Sequence, residues 1–281
     1  MDPLVIGAVL AASLLHASWH ALVKSTTDRL TALAGMNLVA GVVVLVLLPF
    51  VRVPSAVVFA VIAASVVLHV GYKVGLAALY VRADLGQAYP MARGLTPVMA
   101  TLLGFLTLGE MPRPSVLVGI ALVSAGLLAL TRENVARRVT ARMLAVAALT
   151  GLCVAAYSVL DAYGIRVSGD WFGFTVWLVL CDCATFLAYT FAVQGMSPVV
   201  SAWHERWGVV IVSGVFGMVS FGVFLWALGR APVGGVSALR ETSVLFAAIL
   251  GATLLKEAST WLRYAAAVSV MAGVVAIAVL R

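Results

Sequence analysis

Long, uninterrupted apolar runs constrain this chain more than any other feature. Runs of about 20 apolar residues recur along the whole sequence, and charged residues fall mostly between them. A helix needs roughly this length to cross the hydrocarbon core of a bilayer. Charged residues make up only 10% of the chain, and mean hydropathy is +1.12, whereas a soluble domain carries about 25% charged residues. The sequence therefore predicts an integral membrane protein.

The apolar runs divide into ten predicted spans joined by short connections. No room remains between them for a globular domain outside the membrane. We therefore expect an all-α integral membrane protein of about ten transmembrane helices. The predicted spans are 3–23, 31–50, 54–80, 86–108, 114–131, 143–165, 171–194, 206–229, 233–255 and 260–280.

The net charge of +7 is interpreted as a property of helix ends. Lys and Arg fall mostly between the spans, where they can face anionic lipid headgroups. The sequence has no basic patch interleaved with aromatic residues, so we expect no nucleic-acid partner. The positive-inside rule places the most basic connection, 132–142, on the cytoplasmic side of the membrane. Both ends of the chain then lie on the opposite side.

The same connection divides the chain into a first repeat, 1–131, and a second repeat, 143–281. Each half holds five predicted spans, and an odd number means that the second half enters the membrane from the opposite side. Arg93 and Arg240 occupy matching places at an offset of 147 residues, as do the pairs Gly104 with Gly251 and Glu110 with Glu257. Inverted repeats of this kind are typical of alternating-access transporters. We therefore expect two inverted five-helix repeats around a central cavity.

This pattern resembles the EamA-type carriers of the drug/metabolite transporter superfamily. The resemblance covers nearly the whole chain and implies ten helices around a cavity, with helices 3, 4, 8 and 9 among its walls. Many carriers of this superfamily are drawn with both termini inside, so the orientation stays open. The motifs are Thr96-Pro97 with Leu108-Gly109-Glu110, and Ser243 with Leu255-Lys256-Glu257. A narrower resemblance, to EamA-like proteins associated with phosphonate use, rests on Tyr89-Pro90-Met91-Ala92-Arg93-Gly94 and Ser237-Ala238-Leu239-Arg240-Glu241-Thr242-Ser243.

Charged residues inside predicted spans are the first candidates for a solute site, because an unpaired charge in a membrane costs several kcal/mol. Arg93 and Arg240 offer planar donor forks suited to carboxylate or phosphonate oxygens. Our hypothesis is that they bind an anionic or zwitterionic solute, while Glu241 balances the charge or binds an amine. The alternatives are a structural salt bridge with Glu241 and an Arg side chain that reaches the headgroups.

Other polar residues inside spans complete the predicted solute site. Lys73 lies well inside span 3, and Asp182, in the middle of span 7, needs a partner that Lys73 could provide. Tyr89 and Tyr157 are candidates to stack on the solute, although most membrane aromatics anchor at interfaces. Pro90 and Pro97 are expected to distort span 4.

Proton coupling is the second predicted role for buried polar groups. His16 and His20 lie on one polar stripe of span 1, and histidine can relay protons near neutral pH. Asp161 lies on the equivalent stripe of span 6, and Asp182 is a further candidate. The alternative is that these side chains hydrogen-bond to neighbouring helices. His16 and His20 lack a third ligand in the sequence, so we predict no metal site.

We predict a secondary transporter that moves a small polar organic metabolite, such as an amino acid, an organic acid or a phosphonate-like compound. The sequence holds no G-x-x-x-x-G-K-[ST] motif for ATP, so a solute or ion gradient would supply the energy. We expect no enzymatic activity and no cofactor, and a cell membrane, taken as the bacterial inner membrane, as the location. The expected partners are the solute and membrane lipid, and a homodimer is left open. A membrane-embedded enzyme and a non-transporting scaffold remain the alternatives.

Overall fold

The chain folds into α-helices that run almost without interruption. A computed structural model describes residues 1–24, 29–80, 85–131, 140–195, 197–254 and 260–279, and these ranges contain no β-strand. The all-α prediction is therefore confirmed for the described residues. The helices are α1 (Pro3–Lys24), α2 (Arg29–Leu47), a short 3-10 helix (Leu48–Phe50), α3 (Ala56–Tyr80), α4 (Leu85–Gly94), α5 (Thr96–Leu108), α6 (Pro114–Leu130), α7 (Ala141–Ser168), α8 (Trp171–Gln194), α9 (Ser197–Leu228), α10 (Val233–Arg240), α11 (Ser243–Leu254) and α12 (Trp261–Val279).

Seven helical segments of the described chain are long and apolar enough to cross a membrane. Two shorter apolar segments, Ala34–Phe50 and Pro114–Leu130, fall below that length. Many large apolar side chains face outward, including Phe50 at 79% and Val268 at 70% exposure. On a soluble protein such a surface would promote aggregation, whereas in a bilayer it contacts lipid tails. The chain is a multi-pass membrane protein.

Two predicted spans, 86–108 and 233–255, are each made of two helices rather than one. The first is interrupted at Leu95, between α4 and α5. Pro97 has no backbone N–H to donate to the carbonyl of Arg93, which ends the regular ladder of hydrogen bonds at this point. The second is interrupted at Glu241 and Thr242, where the Thr242 hydroxyl donates to the Leu239 carbonyl at 2.7 Å. Such a side-chain bond competes with regular helical pairing.

Helices from the two halves of the chain pack against each other in every major contact. The backbones approach most closely where α6 crosses α12: a Cβ atom on Gly273 would lie 2.6 Å from the carbonyl oxygen of Gly119. At the same crossing the Ser269 hydroxyl donates to the Leu122 carbonyl at 2.7 Å. Small residues of this kind hold membrane helices together by close van der Waals contact. The most extensive pairs are α6–α12, α3–α7, α1–α9, α2–α9, α2–α8, α5–α7 and α1–α11.

Candidate functional site

A buried ion pair connects the two helix interruptions. Arg93, in the last turn of α4, donates from Nη2 to Glu241 Oε1 at 2.5 Å and from Nε to Glu241 Oε2 at 3.2 Å. The side chains are 2% and 0% exposed. Both carboxylate oxygens therefore accept a charge-assisted hydrogen bond in a region without water contact. This pairing matches the structural alternative considered for Arg93 and Glu241, and an amine would have to compete with Arg93 for the same oxygens.

Arg240 lies in a different environment from Arg93, although the sequence repeat makes them equivalent. Its guanidinium carbon lies 4.2 Å from the centroid of the Phe224 ring. Its Nη1 is buried and has no hydrogen-bond partner among the described residues. A buried donor without an acceptor carries a desolvation cost of about 1–3 kcal/mol, and more when it is charged. Arg240 is therefore a cation suited to an acceptor that comes from outside the chain.

The Arg240 side chain lines a small recess between α1, α9 and α10. The cavity volume, as the space open to the centre of a water-sized sphere, is about 10 Å³, which is about the room that one water molecule needs. Ser13 on α1 donates to the Val9 carbonyl at 2.8 Å and lies within 3.3 Å of the Arg240 carbonyl. The recess is thus polar on one side and closed to a metabolite in this conformation. Its lining consists of Val9, Ala12, Ser13, His16, Ser220, Phe224 and Arg240.

The two histidines of α1 lie next to a tryptophan. The Trp19 indole donates to His16 Nδ1 at 3.3 Å, and the Trp19 and His20 rings stack with centroids 3.6 Å apart. The His16 and His20 rings are 4.8 Å apart at 65°. His16 also lines the Arg240 recess. Of the predicted proton-coupling residues, His16 is therefore the one that shares a cavity with Arg240.

Asp161 on α7 lies in a separate buried cluster with two residues of α3. The Ser65 hydroxyl donates to Asp161 Oδ1 at 2.6 Å, and His69 Nε2 lies 3.6 Å from Asp161 Oδ2. The predicted solute-stacking residue Tyr157 is 2% exposed and stacks on His69, with ring centroids 3.9 Å apart. Tyr157 is therefore engaged with the histidine, and it is absent from the lining of the recess.

Lys73 and Asp182 form an ion pair. The sequence indicates Lys73 as a candidate partner of Asp182, and the structure places the two together. Lys73 Nζ lies 3.0 and 2.8 Å from the two carboxylate oxygens of Asp182 and 4.5 Å from the centroid of the Phe186 ring. Their side chains are 25% and 18% exposed, so this pair retains contact with its surroundings. It joins α3 to α8, away from the Arg240 recess. The remaining predicted site residue, Tyr89, has a side chain outside the described residues.

A further polar cluster, absent from the predicted site, ties the two halves together at one end of the bundle. Glu110 Oε1 accepts from Arg166 at 2.6 Å, and Glu110 Oε2 accepts from the backbone N–H of Val233, the first residue of α10, at 2.7 Å. The same Arg166 nitrogen donates to the carbonyls of Leu228 and Ala231. Glu110 belongs to the Leu108-Gly109-Glu110 motif, whose counterpart in the second half is Leu255-Lys256-Glu257, and this repeat was the sequence signal that could have identified it.

Comparison with known proteins agrees with this architecture. The fold is similar to that of a protein known from a crystal structure, with a TM-score of 0.74 over 99% of this chain and 96% of that chain, at 18% identity. No curated protein matches the sequence. Residues 141–279, which include α7 to α12, match the EamA-like transporter family. Through this half the chain belongs to the EamA-like transporter family, within the drug/metabolite transporter superfamily.

Proposed function

We propose that this protein is a secondary transporter that moves a small polar organic solute across the membrane by alternating access. The single observation that carries the choice of solute is Arg240: its side chain lines the recess, and its buried Nη1 has no acceptor among the described residues. A carboxylate or phosphonate oxygen would satisfy it. Amino acids, organic acids and phosphonate-like compounds all carry such a group, and the bacterial inner membrane is the proposed location.

Helix packing supports two inverted halves. In the proposed arrangement, each helix of the first half has a counterpart in the second half. By position in the repeat, α1 corresponds to α7, α3 to α9 and α5 to α11. The contact of α1 with α9 then becomes that of α7 with α3, and both contacts are extensive. The contact of α5 with α7 likewise becomes that of α11 with α1. The interruptions at Leu95 and Thr242 also lie at equivalent places, as expected if each half supplies one discontinuous helix at the solute site.

The small recess corresponds to a closed conformation of the proposed carrier. A solute enters only after the helices around Arg240 have separated, because the cavity of about 10 Å³ has room for about one water molecule and not for a metabolite. The Arg93–Glu241 pair lies at the two interruptions and holds α4 to the end of α10. In the proposal, Arg240 supplies the solute contact, and the ion pair fixes the position of the helix ends.

Solute exchange by the full chain in sealed liposomes tests this function. The probes are radiolabelled L-alanine, succinate and methylphosphonate, first ranked by whether they raise the thermal stability of the purified protein. We expect at least one probe to exchange and to be recovered chemically intact, which separates a carrier from an enzyme. If no probe binds and none exchanges, the proposed solute class is wrong.

Substitution of Arg240 provides the residue-specific test. Arg240→Gln should weaken binding of the active probe roughly 10- to 150-fold, since a hydrogen bond to a charged group is worth about 1.5–3 kcal/mol. Arg240→Lys should retain part of the affinity. The matched control is Arg230→Gln, which alters an exposed arginine whose guanidinium lies 4.5 Å from the Trp226 ring centroid. Equal affinities in Arg240→Gln and the control would refute the assignment of Arg240.

A further inference from the structure

The Asp161 cluster contains two buried polar atoms that face each other without a hydrogen bond. Asp161 Oδ2 and His69 Nε2 both lack a hydrogen-bond partner among the described residues, and they lie 3.6 Å apart. Hydrogen bonds between such atoms extend to about 3.2 Å. Two lone pairs at this distance repel each other, whereas one proton on either atom makes the contact attractive. A neutral imidazole can supply that proton from its own N–H, so the geometry indicates a pair that shares a proton, and the buried charge decides whether the pair binds one more.

Burial makes the unprotonated state of this pair costly. The Asp161 side chain is 0% exposed, and among the described residues it accepts one hydrogen bond, from Ser65 to Oδ1. An ionised carboxylate with so little solvation costs several kcal/mol inside a protein. One added proton removes the net charge, whether it rests on the carboxylate or on the imidazole. The proton comes from water and returns to water, with no other bond made or broken.

We propose that Asp161 and His69 form a single-proton binding site, separate from the Arg240 recess, whose proton couples solute movement to a pH gradient. The residues lie on α7 and α3, which belong to different halves of the chain. The distance between the two atoms therefore depends on how the halves sit against each other. A shift of a few tenths of an ångström brings them into hydrogen-bond range.

Aromatic contacts connect this proton site to the recess. His69 meets Phe221 on α9 edge-on, with ring centroids 5.6 Å apart at 90°. The residues on either side of this contact along α9, Ser220 and Phe224, line the Arg240 recess. Movement of α9 on solute binding would therefore displace the His69 ring directly.

Most other charges near the site are already paired. Lys73 pairs with Asp182, and Arg93 pairs with Glu241, so they contribute little net charge. Arg240 is the cation that the proposed anionic solute would bind, and the bound solute would neutralise its charge. An anionic solute and the added proton carry opposite charges, so solute and proton binding should favour each other. Among the described side chains, the titratable and charged groups on the helices around the pair are Tyr72 and Lys73 on α3, Arg142, Cys153, Tyr157, Tyr163 and Arg166 on α7, Cys181, Asp182, Cys183 and Tyr189 on α8, Arg93 on α4 and Arg240 on α10.

Proton counting on the purified full chain tests the site without a solute. Proton release over the pH range in which the purified protein stays folded is measured with an indicator dye in weakly buffered micelles. We expect Asp161→Asn and His69→Gln each to release one proton fewer per chain than the wild type. The matched control is Asp182→Asn, which removes a carboxylate that is already paired with Lys73 and should leave the count unchanged. Size-exclusion chromatography identifies any variant that fails to fold. If either Asp161→Asn or His69→Gln fails, the proton count of the other variant decides whether the site exists.

Gradient-driven uptake in liposomes tests the coupling, which rests on the proposed transport function. With the active probe, an imposed pH gradient should drive accumulation by the wild type, whereas Asp161→Asn should only equilibrate the probe. Equal proton counts in the wild type and both dyad variants would overturn the proton site. Undiminished accumulation by Asp161→Asn would overturn its role in coupling. If no probe is transported, the proposed transport function is wrong. The proton count remains a separate test of whether Asp161 and His69 bind a proton.

Discussion

The buried Arg93–Glu241 pair provides the sharpest prediction about stability. Replacing Arg93 by Met removes the guanidinium and leaves the Glu241 carboxylate, which is 0% exposed, without a counter-charge. Replacing Glu241 by Leu leaves Arg93 in the same position. Replacing both removes the two charges together and leaves apolar side chains of similar length. The four proteins make a double-mutant cycle around one contact.

The expected magnitude follows from burial. Breaking one partner of a fully buried ion pair costs about 3–5 kcal/mol, because the remaining charge stays in a medium that solvates it poorly. If only two ordinary hydrogen bonds were lost, the cost would be near 0.6 kcal/mol for each, as is typical between membrane helices. The charge term therefore dominates, and each single variant should shift the folding equilibrium by roughly two to four orders of magnitude. The double variant should unfold within about 1 kcal/mol of the wild type, or at higher denaturant.

Equilibrium unfolding in mixed lipid–detergent micelles, titrated with SDS and followed by tryptophan fluorescence, measures these differences. The result that would refute the reasoning is a loss below about 1 kcal/mol in both single variants. Such a result means that water reaches Glu241, so the region between the two helix interruptions would be a wet cavity instead of a dry contact.

Three other predictions concern positions outside the recess. Gly7→Ala, at a helix position where a Cβ meets nothing within 4 Å, should stabilise the protein by up to about 1 kcal/mol. Gly273→Ala should destabilise it. In an SDS titration, the first variant should unfold at higher SDS than the wild type and the second at lower SDS. Asp170→Ala should cost about 1 kcal/mol and promote fraying at the start of α8, because Asp170 accepts from the Gly173 N–H at 2.9 Å as the N-cap, and hydrogen exchange of the first turn would report it. Lys73→Met should cost clearly less than Arg93→Met, since the Lys73–Asp182 pair is 25% and 18% exposed, and an equal loss in the same SDS titration would contradict that ranking.

Hydropathy predicted where the helices lie because membrane insertion depends on the average character of about 20 residues. The interruption in span 86–108 was partly foreseeable, since Pro97 cannot continue a hydrogen-bond ladder. The one at Glu241 and Thr242 was not, because no proline marks it and the competing bond comes from an ordinary threonine hydroxyl.

The choice of partners for the buried charges was harder to predict from the sequence. Arg93 and Arg240 match in the repeat, yet one pairs with Glu241 and the other faces a recess. Which charge meets which depends on the rotation and register of each helix, and both are set by packing rather than by hydropathy. His69 illustrates the same point: its spacing along α3 gave no sign of Asp161, which lies 92 positions later in the sequence.

The crossing of α6 and α12 limits how a molecule of this shape can move. The backbones touch at Gly119 and Gly273, and Ser269 holds the Leu122 carbonyl at the same place. Neither helix can slide along the other without driving a side chain into a carbonyl group. In the proposed alternating-access cycle, this seam would act as the pivot about which the two halves rock.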